Sequence, residues 1–151
     1  MIERELEEKI LGIVRDSNVD GFQVYGLWEI CGTGYAKALD NADTAVVVVK
    51  VPSKSFETFG ISEVLMTPSV TLAVRVDSDR NGEKALGFAE RLSKRLEELN
   101  LESSLDNLIP LGTEHFVPGG FKLLPGQGPD FDSQNCTWTY VWEFEVRGTI
   151  I

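Results

Sequence analysis

The fold is decided by residues 137–147, which read TWTYVWEFEVR. Every even position in this stretch holds an aromatic residue or valine: Trp138, Tyr140, Trp142, Phe144 and Val146. The odd positions are polar, with one exception at Val141. Alternation with a period of two is typical of a β-strand with one buried face, and each buried aromatic side chain removes about 150–250 Å² from water. We therefore predict that this strand lines the main core and that its polar row is exposed in a monomer.

Two helices are predicted from apolar residues spaced three and four positions apart. The first covers residues 2–14, and acidic residues crowd its first turns, where the helix dipole favours negative charge. The second covers residues 85–99, with Asn100 as its C-terminal stop. Both helices have one apolar stripe, so we expect each to pack on a sheet.

Several strands are predicted ahead of the aromatic one. Residues 44–51 read TAVVVVKV, a β-branched run typical of a central strand that is covered on both faces. Residues 61–66 and 70–76 resemble one long strand interrupted near Pro68, and we place this break at a sheet margin because proline is tolerated mainly at edges and bulges. A Gly/Pro-rich loop is expected before the aromatic strand, over residues 125–135. Two further short strands are predicted over residues 108–111 and 116–124.

The predicted fold class is α+β, with residues 1–151 forming a single domain. Its mixed or antiparallel sheet would have about four to six strands packed against the two main helices. Neither an internal repeat nor a linker between two domains is visible in the sequence.

The net charge of −10 argues against nucleic-acid binding, because such a surface repels phosphate backbones and no basic run offsets it. The N-terminus is acidic where a signal peptide would be basic, and no apolar run approaches the ~20 residues of a membrane helix. We therefore expect a cytoplasmic protein with no membrane partner.

Cys31 and Cys136 lack metal-ligand spacing and are predicted to be reduced, mostly buried thiols, with a disulfide or a reactive thiol as the alternative.

One metal-binding motif is half present. The order Asp77, Asp79, Asn81 and Gly82 matches the first half of a calcium loop, in which oxygen ligands surround a tight glycine turn. The twelfth position, where a bidentate glutamate belongs, is Phe88. We expect instead a strand-to-helix turn in which Asp79 or Asn81 caps the helix, and we predict no metal or cofactor. A Ca²⁺- or Mg²⁺-binding domain that uses this loop is the alternative.

Catalysis is not predicted. His115 is the only histidine, so a histidine-based triad or metal site has one possible member, and we expect this residue to be packed or at the surface. The short motifs Gly32-Thr33-Gly34 and Gly126-Gln127-Gly128 lack the lysine and the length of a phosphate-binding loop. The sequence predicts a protein without enzymatic activity.

The order of these elements resembles that of the tail terminator (tail-completion, minor tail) proteins of long-tailed bacteriophages and their prophage relatives. Three passages carry the resemblance: residues 44–52, residues 70–77 running into the helix that ends near residue 99, and residues 138–148. The likeness covers nearly the whole chain as a pattern of elements.

The resemblance implies a structural protein of the virion tail, assembled in the bacterial cytoplasm. Subunits of this family form a homo-oligomeric ring, typically hexameric, that caps the tail tube and joins it to neck or connector proteins. No catalytic residues and no cofactor come with the resemblance. A stand-alone α+β interaction module, for instance ferredoxin-like, is the alternative and would be monomeric or dimeric.

Two irregular segments and one polar row are the predicted contact regions of such a ring. The segments cover residues 53–60 and 126–132, and both contain aromatic residues. The polar row is the exposed face of the aromatic strand, where a neighbouring subunit or the ring lumen could lie. The candidate interface residues are Phe56, Phe59, Phe131, Thr139, Glu143, Glu145 and Arg147.

Overall fold

A computed structural model describes residues 2–15, 22–27, 45–50, 55–56, 63–76, 79–104, 112–134 and 136–151 of the chain. Within these ranges the protein forms two helices and one mixed sheet of eight strands. In chain order they are α1 (Ile2–Arg15), β1 (Phe22–Gly26), β2 (Ala45–Lys50), β3 (Ser55–Phe56), β4 (Glu63–Met66), β5 (Ser69–Arg75), α2 (Glu83–Ser104), β6 (Phe116–Leu123), β7 (Gln127–Asp132) and β8 (Thr137–Ile150). The α+β prediction is confirmed, and the strand count exceeds the predicted four to six.

Strand β8 is the centre of the sheet. Its first half pairs antiparallel with β5 on one side and β7 on the other. Its second half pairs in the same way with β4 and β6. Strand β2 continues the sheet beyond β5, and β1 lies parallel to β2, as its outer neighbour. The β-branched run in β2 is therefore an inner strand, as its sequence predicts.

The two strands on one side of β8 keep a single register across Pro68. Met66 faces Val146 on one side of the proline and Ser69 faces Glu143 on the other, so β4 and β5 are one interrupted strand, as predicted. The placement of this break at a sheet margin is wrong. The carbonyl of Pro68 accepts a hydrogen bond of 2.9 Å from the Phe144 amide, and β2 and β3 lie beyond β5 and β4.

The sheet divides at this interior proline. Pro68 has no N–H to return to Phe144, which leaves the ladder one bond short. On the opposite side of β8, the break between β6 and β7 lies at the same position along the strand. There the Leu124 amide donates a hydrogen bond of 2.9 Å to the Glu143 carbonyl. Strand β8 is thus shared by a five-stranded part (β1, β2, β5, β8, β7) and a four-stranded part (β3, β4, β8, β6).

Both helices pack on the face of the sheet that carries the even residues of β8. The register sets Val70 beside Trp142 and Leu72 beside Tyr140, so β5 adds its apolar residues to the same face. Helix α1 contacts β1 and β2, whereas α2 contacts β5, β6 and β8. One core results, to which the helices contribute Leu6, Ile10, Leu11, Val14, Ala85, Phe88, Leu92 and Leu96. The prediction that the aromatic strand lines the core is confirmed.

Several boundaries differ from the predictions. Helix α2 continues through Asn100 to Ser104, and β8 continues through Gly148 to Ile150. The expected loop before β8 contains the strand β7, because pairing with β8 outweighs the low strand propensity of its glycine and proline.

Cys136 is exposed rather than buried, and Cys31 lies outside the described residues. The strand predicted over residues 108–111 also lies outside them. No helix in the described ranges is long and apolar enough to cross a membrane.

Candidate functional site

Strands β6 and β7 together form one outer edge of the sheet. Each pairs with β8 on its inner side, and no other strand of the described ranges pairs with either of them. The register with β8 shifts between Pro118 and Gly120 in β6 and between Gln127 and Asp130 in β7, so the edge is irregular. Two large apolar side chains are exposed along it: Val117 by 50% and Phe131 by 56%.

Phe131 rests on a fixed support. Its ring packs edge-to-face on Trp138, with 5.8 Å between the centroids and an interplanar angle of 60°. The Trp138 indole N–H donates a hydrogen bond of 2.8 Å to the backbone carbonyl of Asp79, which ties the indole to the start of α2. Phe131 is therefore held in place while more than half of its surface faces solvent.

A groove of about 250 Å³ runs between α2 and β7, beside this edge. Its floor is formed by Tyr140 and Trp142, whose near-parallel rings lie 6.2 Å apart and which are only 8% and 4% exposed. One wall is the first half of α2, with Leu86, Ala89, Glu90 and Ser93, and the other is the backbone of residues 126–128.

Two glycines allow the backbone to lie against this floor. A Cβ atom on Gly126 would lie 2.6 Å from Nε1 of Trp142, and one on Gly128 would lie 2.8 Å from the Tyr140 ring. Gly128 also has a φ of 137°, which disfavours any residue with a side chain. Glycine at both positions lets the backbone of residues 126–128 approach the two rings closely.

Both side chains of the floor carry a hydrogen-bond donor, the hydroxyl of Tyr140 and the indole N–H of Trp142. Burial, together with the negative charges of Asp79 and Glu90, raises the pKa of the Tyr140 hydroxyl, so it stays protonated and can donate. Residues 126–132 were predicted as a contact segment, and a phosphate loop at Gly126 and Gly128 was not expected, but the groove itself was not predicted. Glycines ahead of an aromatic strand were the visible signal.

The predicted interface residues do not form a single surface. Thr139, Glu143, Glu145 and Arg147 occupy the odd positions of β8 and therefore face away from the two helices, whereas Phe131 lies opposite Trp138 on the helix side. In this row Glu143 and Arg147 are exposed, and Thr139 and Glu145 are half-buried. Thr137, predicted to be exposed in the same row, is completely buried. The backbone of Phe56 lies in β3, while its side chain and all of Phe59 lie outside the described residues.

The turn before α2 is a helix cap. The two carboxylate oxygens of Asp79 accept hydrogen bonds from the amides of Lys84 (3.0 Å) and Ala85 (2.8 Å), and Oδ1 of Asn81 accepts one from Glu83 (3.3 Å). Carboxylate oxygens near a helix N-terminus satisfy amides that have no partner within the helix. Both oxygens of Asp79 are thus engaged by the helix, which is the arrangement expected of a capped turn. Asp77 lies outside the described residues.

Removing this cap is expected to destabilise the protein. Asp79→Ala should lower the free energy of unfolding by about 1–2 kcal/mol, because two amides lose their acceptor and the one of Ala85 is buried. Asn81→Ala is the matched control, since it removes one longer bond at an exposed position, and it should cost only a few tenths of a kcal/mol. Urea denaturation of both variants measures the difference, and equal losses would contradict the assignment.

A polar cluster joins α1 to the turn before β6. Oε1 of Glu5 lies 2.7 Å from Nδ1 of His115, and the hydroxyl of Thr113 donates to Oε2 of Glu5 over 2.9 Å. A shallow cavity of about 410 Å³ lies beside the cluster, with Glu8 and Lys9 in its wall. Both partners bind the same carboxylate, so the arrangement differs from a catalytic triad, in which the histidine contacts the nucleophile. Glu5 is separated from Thr113 and His115 by more than 100 positions of the chain. His115 was predicted to be packed or at the surface, and its partner was not predicted.

The cluster is expected to make stability depend on acid pH. The hydrogen bond from His115 is the main reason that the pKa of Glu5 lies below its ordinary value of 4.5, and the bond from Thr113 adds to the effect. A lowered pKa means that the stabilisation is present above about pH 4.5 and is lost as the pH falls further. Its size should be below about 1 kcal/mol because Glu5 is only half-buried and His115 is exposed.

Chemical denaturation between pH 3 and pH 6 tests this expectation. Glu5→Gln should flatten the loss of stability on acidification relative to the unchanged protein. Glu8→Gln removes the same charge from the same helix, where Glu8 makes an exposed ion pair with Arg4, and should leave the pH profile nearly unchanged. Identical profiles for the Glu5 variant and the unchanged protein would contradict the role of the cluster.

Neither the protein-family models nor the curated proteins that were searched contain a match to this chain. The function proposed below therefore rests on the geometry of the described surface and on the resemblance in element order.

Proposed function

We propose that the protein is a structural subunit that assembles with copies of itself into a ring of the phage tail terminator type. The ring would cap a tail tube and offer a surface to neck or connector proteins. The observation that supports this proposal is the outer edge formed by β6 and β7, which exposes Phe131 on the helix side of the sheet and Val117 on the opposite side. Exposed apolar side chains on a sheet edge favour association with another protein surface.

The position of this edge suits a head-to-tail contact. It lies on one side of β8, whereas β1 and β3 are the outer strands on the other side. A contact between two different edges joins each copy to the next in the same orientation, and such heterologous contacts close into rings when the rotation between copies allows it. The acidic net charge opposes close association, so the contact needs the apolar residues of the edge.

Light scattering after size-exclusion chromatography, with electron microscopy of any large species, tests the proposal. Six copies of the 16.7 kDa chain would have a mass of about 100 kDa. Val117→Ser combined with Phe131→Ser should shift this mass towards that of the monomer. Leu86→Ser is the control, because it removes a side chain with 50% exposure from α2 rather than from the edge, and it should leave the mass unchanged.

Two outcomes contradict the proposal. A protein that remains monomeric at every concentration, without rings in the microscope, does not assemble through this edge. A dimer that the double variant dissociates would favour the stand-alone interaction module, because a two-fold contact pairs the same patch on both copies and forms no ring.

A further inference from the structure

The five-stranded part of the sheet ends in β7 on one side and in β1 on the other. In the described ranges each of these strands pairs only on its inner side. They are similar in length, with five residues in β1 and six in β7. In the four-stranded part the outer strand opposite β6 is β3, which has only two residues. Because an open strand edge is a template for pairing with another chain, β1 and β7 are the better matched pair of edges.

The directions of β1 and β7 suit a contact between copies. β1 runs parallel to β2, and three antiparallel steps lead from β2 through β5 and β8 to β7, so β1 and β7 point in opposite directions. In a six-membered ring each copy is turned by roughly 60° relative to the next, and such a rotation does not reverse a strand. β7 of one copy therefore meets β1 of the next in the antiparallel sense, with the helices of both copies on the same face.

The exposed ring on β7 has an apolar counterpart at the β1 edge. Phe131 lies on the helix side of the sheet and is 56% exposed. Val24 of β1 lies on the same side, because it pairs with the fully buried Val47. Val24 and Ile13 of α1 pack at the margin of the core and are only half-buried. A contact that covers this margin with the Phe131 ring removes apolar surface of both copies from water.

Charge distinguishes this contact from one between two β7 strands. Residues 127–134 contain Asp130 and Asp132 but no lysine or arginine, so two β7 strands side by side would set carboxylates against each other. β1 contains no acidic residue. The Arg15 guanidinium lies against it and donates a hydrogen bond of 2.9 Å to the Val24 carbonyl. The charges therefore favour β1 as the strand that β7 meets.

We propose that β7 of one copy pairs antiparallel with β1 of the next, and that Phe131 packs on the half-buried margin at Val24. This inference rests on the ring proposed above and names the surface that its β6–β7 edge meets. The five-stranded parts of neighbouring copies form one continuous sheet around the ring. Ring closure then leaves no outer strand in this part of the sheet.

Cross-linking of the full chain tests the pairing directly. Gln23 on β1 and Asp130 on β7 both lie on the face of the sheet away from the helices. Within one copy they are four strand spacings apart, about 19 Å. A thiol-reactive linker of about 8 Å reaches opposite and diagonal neighbours on paired strands but cannot join the two positions inside one copy. Gln23→Cys combined with Asp130→Cys should therefore give a ladder of covalent species that ends at six copies on a denaturing gel.

Control variants separate the alternatives. All cross-linking variants also carry Cys31→Ser and Cys136→Ser, so that the native thiols do not react. Asp130→Cys without a second new cysteine should give no product, and a covalent dimer would overturn the proposal because two β7 strands would then meet. Ser55→Cys combined with Asp130→Cys should give no ladder, and a ladder would overturn the proposal by placing β3 at the contact.

A charge exchange tests the same contact without a linker. Arg15→Glu places a carboxylate beside the acidic β7 and should raise the concentration at half-assembly by about tenfold. Asp130→Lys should weaken assembly by a similar factor, and the two substitutions together should restore it. Lys9→Glu is the control, because it reverses a charge on the same helix beside the Thr113 cavity and should leave assembly unchanged. Thermal unfolding checks that every variant is folded.

Ring formation and strand pairing are read separately. Rings in the microscope that give no ladder from the Gln23 and Asp130 cysteines would overturn the pairing and leave the proposed function standing. Equal weakening of assembly by Arg15→Glu and Lys9→Glu would also overturn the pairing, since the effect would then come from net charge alone. A chain that stays monomeric at every concentration would overturn the ring and the pairing together.

Discussion

Replacing Phe144 with alanine is expected to lower the free energy of unfolding by about 3–5 kcal/mol. The side chain is completely buried, and it lies at the position along β8 where strand pairing is interrupted on both sides. Its amide bonds to the carbonyl of Pro68, and its ring belongs to the core that both helices share. A cavity at this point cannot close easily, because the backbone of β8 is held by two strands on each of its sides.

The neighbouring residue provides the control for this substitution. Glu143→Ala changes an exposed side chain on the opposite face of the same strand and should alter stability by no more than about 0.5 kcal/mol. Thermal and urea unfolding of the two variants measures the difference. A loss below about 1 kcal/mol for Phe144→Ala would mean that the ring is not the centre of the core.

Gly148→Ala is expected to destabilise the protein by about 1–3 kcal/mol or more, although it adds only one methyl group. The new Cβ would lie 2.4 Å from two atoms of the Phe116 ring and 2.5 Å from the carbonyl oxygen of Val117. Phe116 is 1% exposed and cannot swing away, and the oxygen is part of the β6 backbone. The added methyl group therefore has to push two packed strands apart.

Gly119→Ala is the matched control, because its Cβ would meet its nearest neighbour at 3.9 Å, an ordinary contact. This variant should unfold close to the unchanged protein. A double variant sharpens the test: Phe116→Leu should cost less stability in the Gly148→Ala background than alone, because it relieves part of the overlap. Additive losses would show that Phe116 is not the residue that excludes a side chain at position 148.

The centre of this fold could be predicted because the period of β8 is strong and local. Four aromatic residues on alternating positions define a single apolar face that has to be buried. The two helices predicted over residues 2–14 and 85–99 have equally clear apolar stripes. The continuation of β8 to Ile150 was missed because Gly148 interrupts the pattern. Position 148 requires glycine because the Phe116 ring packs closely against it, and this contact is not visible in the sequence.

The candidate sites depended on contacts between distant residues, and sequence patterns carry little information about these. Residues 127–132 contain glycine and proline and read as a loop, yet β8 imposes a strand on them and exposes Phe131 at the edge. Glu5 and His115 meet across most of the chain length. Thr137 shares the period of the exposed row but is buried, so alternation alone does not decide which polar residues reach solvent.

The central place of β8 also determines when the protein can fold. Ser69 pairs with Glu143 and Glu63 with Thr149, so the contacts that hold β4 and β5 in place span more than 70 positions of the chain. Such a high contact order slows folding. On the ribosome, β4 to β7 all emerge before their shared partner, so the nascent chain carries open strand edges until residues 137–150 have left the exit tunnel. The open strand edges make the nascent chain prone to aggregation until that point.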